Sequence, residues 1–315
     1  MKTTRIIAIA NQKGGVGKTT TCVNLAASLA SLQKQVLLID MDPQGNATMG
    51  CGIDKFSIDQ TVSDVLLGDC KAVDAVLRVE AGGSNDGWAV LPSNSELTAA
   101  EVELLDVDQR EQQLKLALQS LPGDYDYILL DCPPSLNILT LNAFVAATSV
   151  LVPVQCEYYA LEGLSALLRT IEDVQQAVNP QLAIEGLLRT MFDTRNRLGN
   201  DVSDQLLQHF GDEVFRTVIP RNVRLAEAPS HGMSVVSYDR SSRGALAYLA
   251  LAGELVRRNQ RKEEIQNSAL AAEPTTEGVA ETSPKPSNQQ ESAATQSAKT
   301  AANGIAEKAS EIIGS

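Results

Sequence analysis

The chain has 315 residues, enough for one large α/β domain or two small ones, and its net charge is −13. That acidity disfavours indiscriminate binding to nucleic acid, although residues 214–258 hold seven arginines and leave room for a local basic patch. Five scattered cysteines without a CxxC pair, and only two histidines, argue against a zinc site and suit a reducing compartment. Apolar runs are too short for a signal peptide or a membrane span, so we expect a cytoplasmic protein without membrane association.

Short apolar runs alternate with helical stretches through the first 260 residues. We predict strands at residues 5–10, 35–40, 88–93, 125–134, 149–155 and 183–192, and a further short one at 217–222. A glycine-rich loop joins the first strand to a helix predicted over residues 18–33. Continuous apolar strands separated by helices are typical of a parallel sheet covered on both faces. We therefore expect a doubly wound α/β fold, mainly parallel, with functional sites at the carboxyl ends of the strands.

The composition changes after Lys262, where Ala, Ser, Thr, Gln, Glu and Pro replace the large apolar residues. Such a segment buries too little apolar surface to offset its chain entropy. We predict a folded domain over residues 1–260 and a disordered, low-complexity tail over residues 261–315. The last residues of the tail place apolar side chains at helical spacing but lack the basic polar face of a membrane-targeting helix.

The glycine-rich loop, NQKGGVGKTTT at residues 11–21, departs from the common phosphate-loop pattern G-x-x-x-x-G-K-[ST]. Gln12 stands where the first glycine is expected, and an extra lysine, Lys13, precedes the glycine pair. A strand, a glycine-rich turn and a helix N-terminus together form a site for nucleotide phosphates. We predict that phosphate binding involves Gly14, Gly15, Val16, Gly17, Lys18, Thr19 and Thr20. Lys18 would reach the β- and γ-phosphates, and the Thr19 hydroxyl would take one position around Mg²⁺.

Three aspartates end predicted strands near the same edge of the sheet. Asp40 and Asp42 are two residues apart in LLIDMDPQGNAT, a spacing that would put both carboxylates on one side of a strand. Asp42 lies further out and is placed to orient an attacking water. Asp131 closes the apolar run YILLD, which is typical of an aspartate that contacts Mg²⁺ through water.

Taken together, KGGVGKT, DMDPQGNAT and DCPPS resemble the deviant Walker A ATPases, a branch of the P-loop NTPases. Two further segments, VQCEYYALEGL (154–164) and VIPRNVRLAEAPSHG (218–232), resemble the ParA/Soj group of chromosome- and plasmid-partition ATPases. The resemblance covers roughly residues 3–257. It implies a weak, partner-stimulated ATPase that uses Mg²⁺ and forms a homodimer around two bound ATP molecules.

The resemblance also assigns roles to individual residues. Lys13 matches the lysine that crosses the dimer to the partner's phosphates, so that Lys13, Lys18 and Asp42 are the candidate catalytic residues. Pro220 and Asn222 match the segment that holds adenine.

Family dimers bind double-stranded DNA without sequence preference, and the residues matching their DNA-contacting arginines are Arg195 and Arg224. Arg197 and Arg243 are candidate neighbours. Phosphate contacts of this kind are steeply salt-dependent. The implied partner is a ParB-like centromere-binding protein, and the implied location is nucleoid DNA. An alternative stays open: an ATP-switched positioning protein of the MinD type that acts on membrane or surface machinery.

Overall fold

The computed structural model describes residues 4–79, 88–121 and 125–271. Within these ranges seven strands form one sheet: β1 (Arg5–Ile9), β2 (Val36–Asp40), β3 (Leu77–Val79), β4 (Trp88–Leu91), β5 (Tyr127–Asp131), β6 (Ser149–Gln155) and β7 (Ala183–Thr190). Their order across the sheet is β3-β4-β2-β5-β1-β6-β7. Neighbouring strands are parallel, except that β3 is antiparallel to β4. The prediction of a doubly wound, mainly parallel sheet is confirmed.

Helices cover both faces of this sheet. The described part of the chain forms α1 (Lys18–Ala30), α2 (Asn46–Gly50), α3 (Val62–Leu67), α4 (Ala72–Ala75), α5 (Leu97–Glu103), α6 (Gln113–Leu118), α7 (Ile138–Ala146), α8 (Ala160–Ala177), α9 (Arg197–Phe210), α10 (Val223–Glu227), α11 (Val235–Tyr238) and α12 (Arg243–Ala271). None of the helices in these ranges is both long and apolar enough to cross a membrane.

Alternate residues of the buried strands enter two separate hydrophobic cores. On β1, Ile7 and Ile9 pack with α1 and α12, whereas Ala8 packs on the opposite face with α7 and α8. Because both faces are covered, the central strands read as unbroken apolar runs, and that is why they were predictable. The layers hold the carboxyl ends of β1, β2 and β5 side by side, with Asp40 of β2 opposite Asp131 of β5.

Two short elements differ from the prediction. Residues 217–222 form no strand; a single parallel bridge joins Pro220 to Phe192. Proline has no backbone N–H to extend such a ladder. The short strand β3 was not predicted, because Leu77 and Arg78 are exposed and show no apolar pattern.

The predicted boundary between residues 260 and 261 falls inside α12, which continues to Ala271. The sequence RKEEIQNSALA at this point is rich in helix-forming residues. The rest of the predicted tail, residues 272–315, lies outside the described residues.

Candidate functional site

The glycine-rich loop joins β1 to α1 and turns through left-handed backbone at Gly15 and Gly17, whose φ angles are 74° and 91°. Only glycine adopts these angles without steric cost. Val16 between them is buried, and its carbonyl oxygen accepts a hydrogen bond of 2.8 Å from the Thr190 hydroxyl at the end of β7. The loop is thereby fixed against the sheet, and the N-terminus of the 13-residue helix α1 opens toward solvent as an anion site.

A cleft of about 610 Å³ lies in front of this helix terminus. Its walls come from the loop, from the segment after β2 and from the segment after β5, three neighbouring carboxyl ends. The lining residues predicted from the sequence are Gly14, Gly15, Gly17, Lys18, Thr19, Thr20 and Asp42. Thr98 and Glu101 of α5, Ser135 and Asn137 before α7, and Met191 after β7 also line it and were not predicted. No local motif marks these residues, because separate chain segments bring them to the cleft.

Lys18 is buried at the base of the cleft, with 7% of its surface exposed. Its ammonium group donates to the carbonyl oxygen of Lys13 at 3.3 Å. Burial lowers the pKa of Lys18, and the carboxylates of Asp131 and Asp42 oppose that shift. A buried cation held among acidic groups is suited to attract phosphate oxygens.

Asp131 is fully buried beside Thr19, and neither carboxylate oxygen has a hydrogen-bond partner of ordinary geometry in the described part of the chain. Burial, followed by the neighbouring Asp40 carboxylate, raises the pKa of Asp131 well above its usual value. The Thr19 hydroxyl and Lys18 offset this shift only in part. A buried carboxylate without a partner is costly unless a cation or its water occupies the adjacent space. Asp131 and the Thr19 hydroxyl therefore fit a site for hydrated Mg²⁺.

Asp40 and Asp42 do not both face the cleft, as their spacing had suggested. Strand β2 ends at Asp40, and the turn of the chain follows Asp42, at residues 43–44. The Asp40 carboxylate is buried and accepts two hydrogen bonds from Thr48, through its backbone N–H and its hydroxyl, each at 2.8 Å. Burial raises the pKa of Asp40 to about 6, although these hydrogen bonds oppose the shift. Only Asp42 lines the cleft.

A second cavity of about 420 Å³ adjoins the first, and Gly17 and Thr20 line both. Pro220 and Asn222 line it, as expected for residues that hold a nucleotide base. Its remaining walls are largely apolar and include Ile219, Val223, Leu225 and Tyr248. Tyr248 comes from α12 and is fixed by a hydrogen bond of 3.1 Å to Thr21 of α1. The two cavities together match a phosphate chain and a planar base.

Lys13 does not line the cleft of its own subunit. Its ammonium group forms an ion pair of 2.6 Å with Glu157, which follows β6. Its backbone N–H donates to Asn11 at 2.9 Å, and Asn11 donates in turn to the carbonyl oxygen of Pro153 at 2.8 Å. The two lysines of the loop thus face different surroundings, with Lys18 inside the cleft and Lys13 outside it.

The candidate DNA-binding arginines are exposed but lie beside carboxylates. Arg195 donates two hydrogen bonds to Asp193, at 3.0 and 2.8 Å, and these hold the pKa of Asp193 well below its usual value. Arg224 pairs with Glu227 at 2.7 Å and with Asp239 at 3.3 Å. Sequence reasoning named the arginines but did not predict that they pair with these carboxylates. Arg197 and Arg243 are also exposed, as the first residues of α9 and α12.

Comparisons with known proteins agree with this geometry. A family model described as an AAA domain matches residues 4–184. The sporulation initiation inhibitor protein Soj of Bacillus subtilis is 53% identical over 251 residues, which are 80% of this chain and 98% of that protein. The chromosome partitioning protein ParA of Myxococcus xanthus is 51% identical over 258 residues, 82% of this chain and 90% of that protein.

Among solved structures, cobyrinic acid a,c-diamide synthase from Mycobacterium smegmatis, with an ATP analogue and magnesium bound, is 40% identical. It superposes with a TM-score of 0.71 over 82% of this chain and 96% of its own. With half or more of the aligned residues identical to Soj and ParA over at least 90% of the length of each, the chain belongs to the ParA/Soj family of chromosome-partitioning ATPases.

Proposed function

We propose that this protein is a Mg²⁺-dependent ATPase that dimerises when ATP is bound. The dimer binds DNA without sequence preference and drives chromosome or plasmid partitioning with a ParB-like partner. The proposal places the protein in the cytoplasm, on nucleoid DNA. The main observation behind this proposal is that the two lysines of the phosphate loop lie in different places. Lys18 serves its own cleft, and Lys13 is directed away from it.

Within one subunit, the described residues account for nucleotide binding. The loop and the N-terminus of α1 hold the phosphates, and Pro220 and Asn222 hold the base. Thr19 and Asp131 would hold hydrated Mg²⁺, which neutralises phosphate charge when bound. Lys18 stabilises the negative charge that develops on the transferred group, and Asp42 orients the attacking water.

Lys13 gives a chemical reason for dimerisation. A second cation near the γ-phosphate stabilises transition-state charge, as an arginine finger does in trans. Because Lys13 lies outside its own cleft, the phosphates it can reach are those of a facing subunit. Pairing would then depend on the γ-phosphate, so that ATP rather than ADP favours the dimer.

Pairing also explains how so acidic a protein could bind DNA. One subunit offers four candidate arginines, and two of them, Arg195 and Arg224, are partly neutralised by neighbouring carboxylates. A dimer presents two such sets on one face, and each added phosphate contact raises affinity multiplicatively. DNA binding would therefore follow ATP binding.

Sedimentation separates this proposal from the MinD-type alternative. The full-length protein is centrifuged with linear DNA of random sequence or with anionic liposomes, each with Mg²⁺ and either ATP or ADP. We expect pelleting with DNA in ATP only, and loss of that pelleting in high salt. Pelleting with liposomes but not with DNA would contradict the proposal and support the alternative. Acceleration of ATP hydrolysis by a ParB-like protein with DNA tests the partner.

A further inference from the structure

A closed set of buried hydrogen bonds surrounds the chain segment that carries Asp42. The Asp40 carboxylate at the end of β2 accepts from the backbone N–H of Asp42 at 3.2 Å through one oxygen. Its other oxygen accepts from the backbone N–H and the hydroxyl of Thr48 on α2. Asp40, Thr48 and Ser93 all have no exposed surface. These contacts occur in a dry environment, where each hydrogen bond is strong and a missing partner is costly.

Ser93, two residues after β4, makes the remaining two hydrogen bonds of this set. Its backbone N–H donates to the Thr48 hydroxyl oxygen at 2.9 Å, so that this hydroxyl both donates and accepts. The Ser93 hydroxyl donates to the carbonyl oxygen of Asp42 at 3.0 Å. Asp42 is therefore held at its backbone N–H through Asp40 and at its carbonyl oxygen through Ser93.

The backbone between Asp42 and α2 packs tightly against Ser93. Gly45 adopts a φ of 61°, and a Cβ placed there would lie 2.7 Å from the carbonyl oxygen of Ser93. Its N–H donates to the same Asp42 carbonyl oxygen at 2.9 Å. Ser93 and the turn after β2 are thus packed so closely that only glycine fits at position 45.

By contrast, the Asp42 side chain has little support of its own. It is half-buried, and the hydrogen bond found for its carboxylate within the described residues comes from the backbone N–H of Gln44 in the same turn. Its direction into the cleft is consequently determined by the backbone on either side of it.

We propose that Thr48 and Ser93 are positioning residues for ATP hydrolysis, because together with Asp40 they fix both ends of the Asp42 backbone and so aim its carboxylate into the phosphate cleft. The inference rests on the proposed function, in which Asp42 orients the attacking water. A carboxylate that orients water must be held to within a fraction of an ångström, since small misplacements cost large factors in rate. Neither residue lines the cleft, so both act through Asp42.

Three variants of the full-length protein test the role, with Asp42→Asn as the benchmark. Thr48→Val keeps the side-chain shape but removes the hydroxyl, and Thr48→Ser keeps the hydroxyl. Ser93→Ala removes the bond to the Asp42 carbonyl oxygen and leaves the backbone bond to Thr48. We measure kcat, KM for ATP, and the dissociation constant of a non-hydrolysable ATP analogue with Mg²⁺. Thermal unfolding of each variant is recorded in parallel.

We expect Thr48→Val to lower kcat by about tenfold and Ser93→Ala by about threefold, with nucleotide affinity within about twofold of wild type. Thr48→Ser should restore kcat to within about twofold of wild type. A purely structural role would instead change thermal stability and affinity without a selective loss of kcat. If Thr48→Val does not fold, the kcat of Ser93→Ala still tests the inference.

The outcomes distinguish this inference from the proposed function. If Asp42→Asn hydrolyses ATP at the wild-type rate, the role of Asp42 in the proposed function is wrong. If Asp42→Asn is inactive while Ser93→Ala and folded Thr48→Val retain the wild-type kcat, the proposed function stands and the positioning inference is overturned.

Discussion

Replacing Glu157 by Gln should make the protein dimerise more readily with ATP. In the single subunit, Lys13 is bound to Glu157 at 2.6 Å. If Lys13 must cross to a partner's phosphates, that ion pair opposes dimerisation and has to break first. The substitution removes the negative charge and keeps a side chain of nearly the same size.

The structure gives the size of the effect. The two side chains are 38% and 45% exposed, so solvent screens the pair. Exposed pairs of this kind contribute about 0.2–1 kcal/mol, and we take about 0.5 kcal/mol for this one. A dimer breaks two such pairs, which totals about 1 kcal/mol. We therefore expect a dimerisation constant about fivefold tighter, since 1.4 kcal/mol corresponds to a factor of ten.

Sedimentation velocity with Mg²⁺ and a non-hydrolysable ATP analogue measures that constant directly. Glu162→Gln is the matched control, because Glu162 is exposed on the first turn of α8, loses the same charge, and forms no ion pair in the described part of the chain. The control should dimerise like wild type. An unchanged or weaker dimerisation constant for Glu157→Gln, with normal nucleotide affinity, would refute the reasoning.

Three other substitutions have expected outcomes. Arg224→Ala should weaken DNA binding about equally on all sequences and reduce the salt dependence by about one to two ions per dimer, measured by fluorescence anisotropy against salt; an unchanged slope would remove Arg224 from the interface. Asp131→Asn should raise the thermal unfolding temperature of the nucleotide-free protein, because it removes a buried carboxylate that has no hydrogen bond of ordinary geometry within the described residues, and should lose stabilisation by Mg²⁺ and ATP; a lower temperature without nucleotide would contradict this account. Tyr248→Phe should cost about 1 kcal/mol in urea unfolding through its bond to Thr21, and a neutral result would show that the bond contributes nothing net.

The elements that the sequence predicts well are those with local signals. The phosphate loop is encoded by contiguous residues whose glycines and lysine serve one turn, and the central strands are apolar without interruption because both faces are buried. Asp131 was named as a candidate magnesium ligand for the same reason, since it ends such a run.

The residues that escaped prediction are related through the fold. Glu157 lies 144 residues from Lys13, and Ser93 lies 51 residues from Asp42. The spacing between Asp40 and Asp42 did not reveal that Asp40 is buried, because its hydrogen-bond partner, Thr48, comes from α2. Asp193 and Glu227 are close in sequence to the arginines that they pair with, but a spacing of two or three residues does not reveal whether a loop folds a carboxylate onto its neighbour.

The central claim, that Lys13 acts in the active site of the partner subunit, is tested most directly by mixing two inactive variants. Lys13→Ala and Asp42→Asn are combined before ATP is added, and hydrolysis is measured. In a mixed dimer, the site on the Lys13→Ala subunit keeps its own Asp42 and receives Lys13 from the other subunit. We expect activity to return to as much as about a quarter of wild type, since half of randomly formed dimers are mixed and each has one complete site. If the mixture stays as inactive as its components although mixed dimers form, Lys13 acts within its own subunit and the account is contradicted.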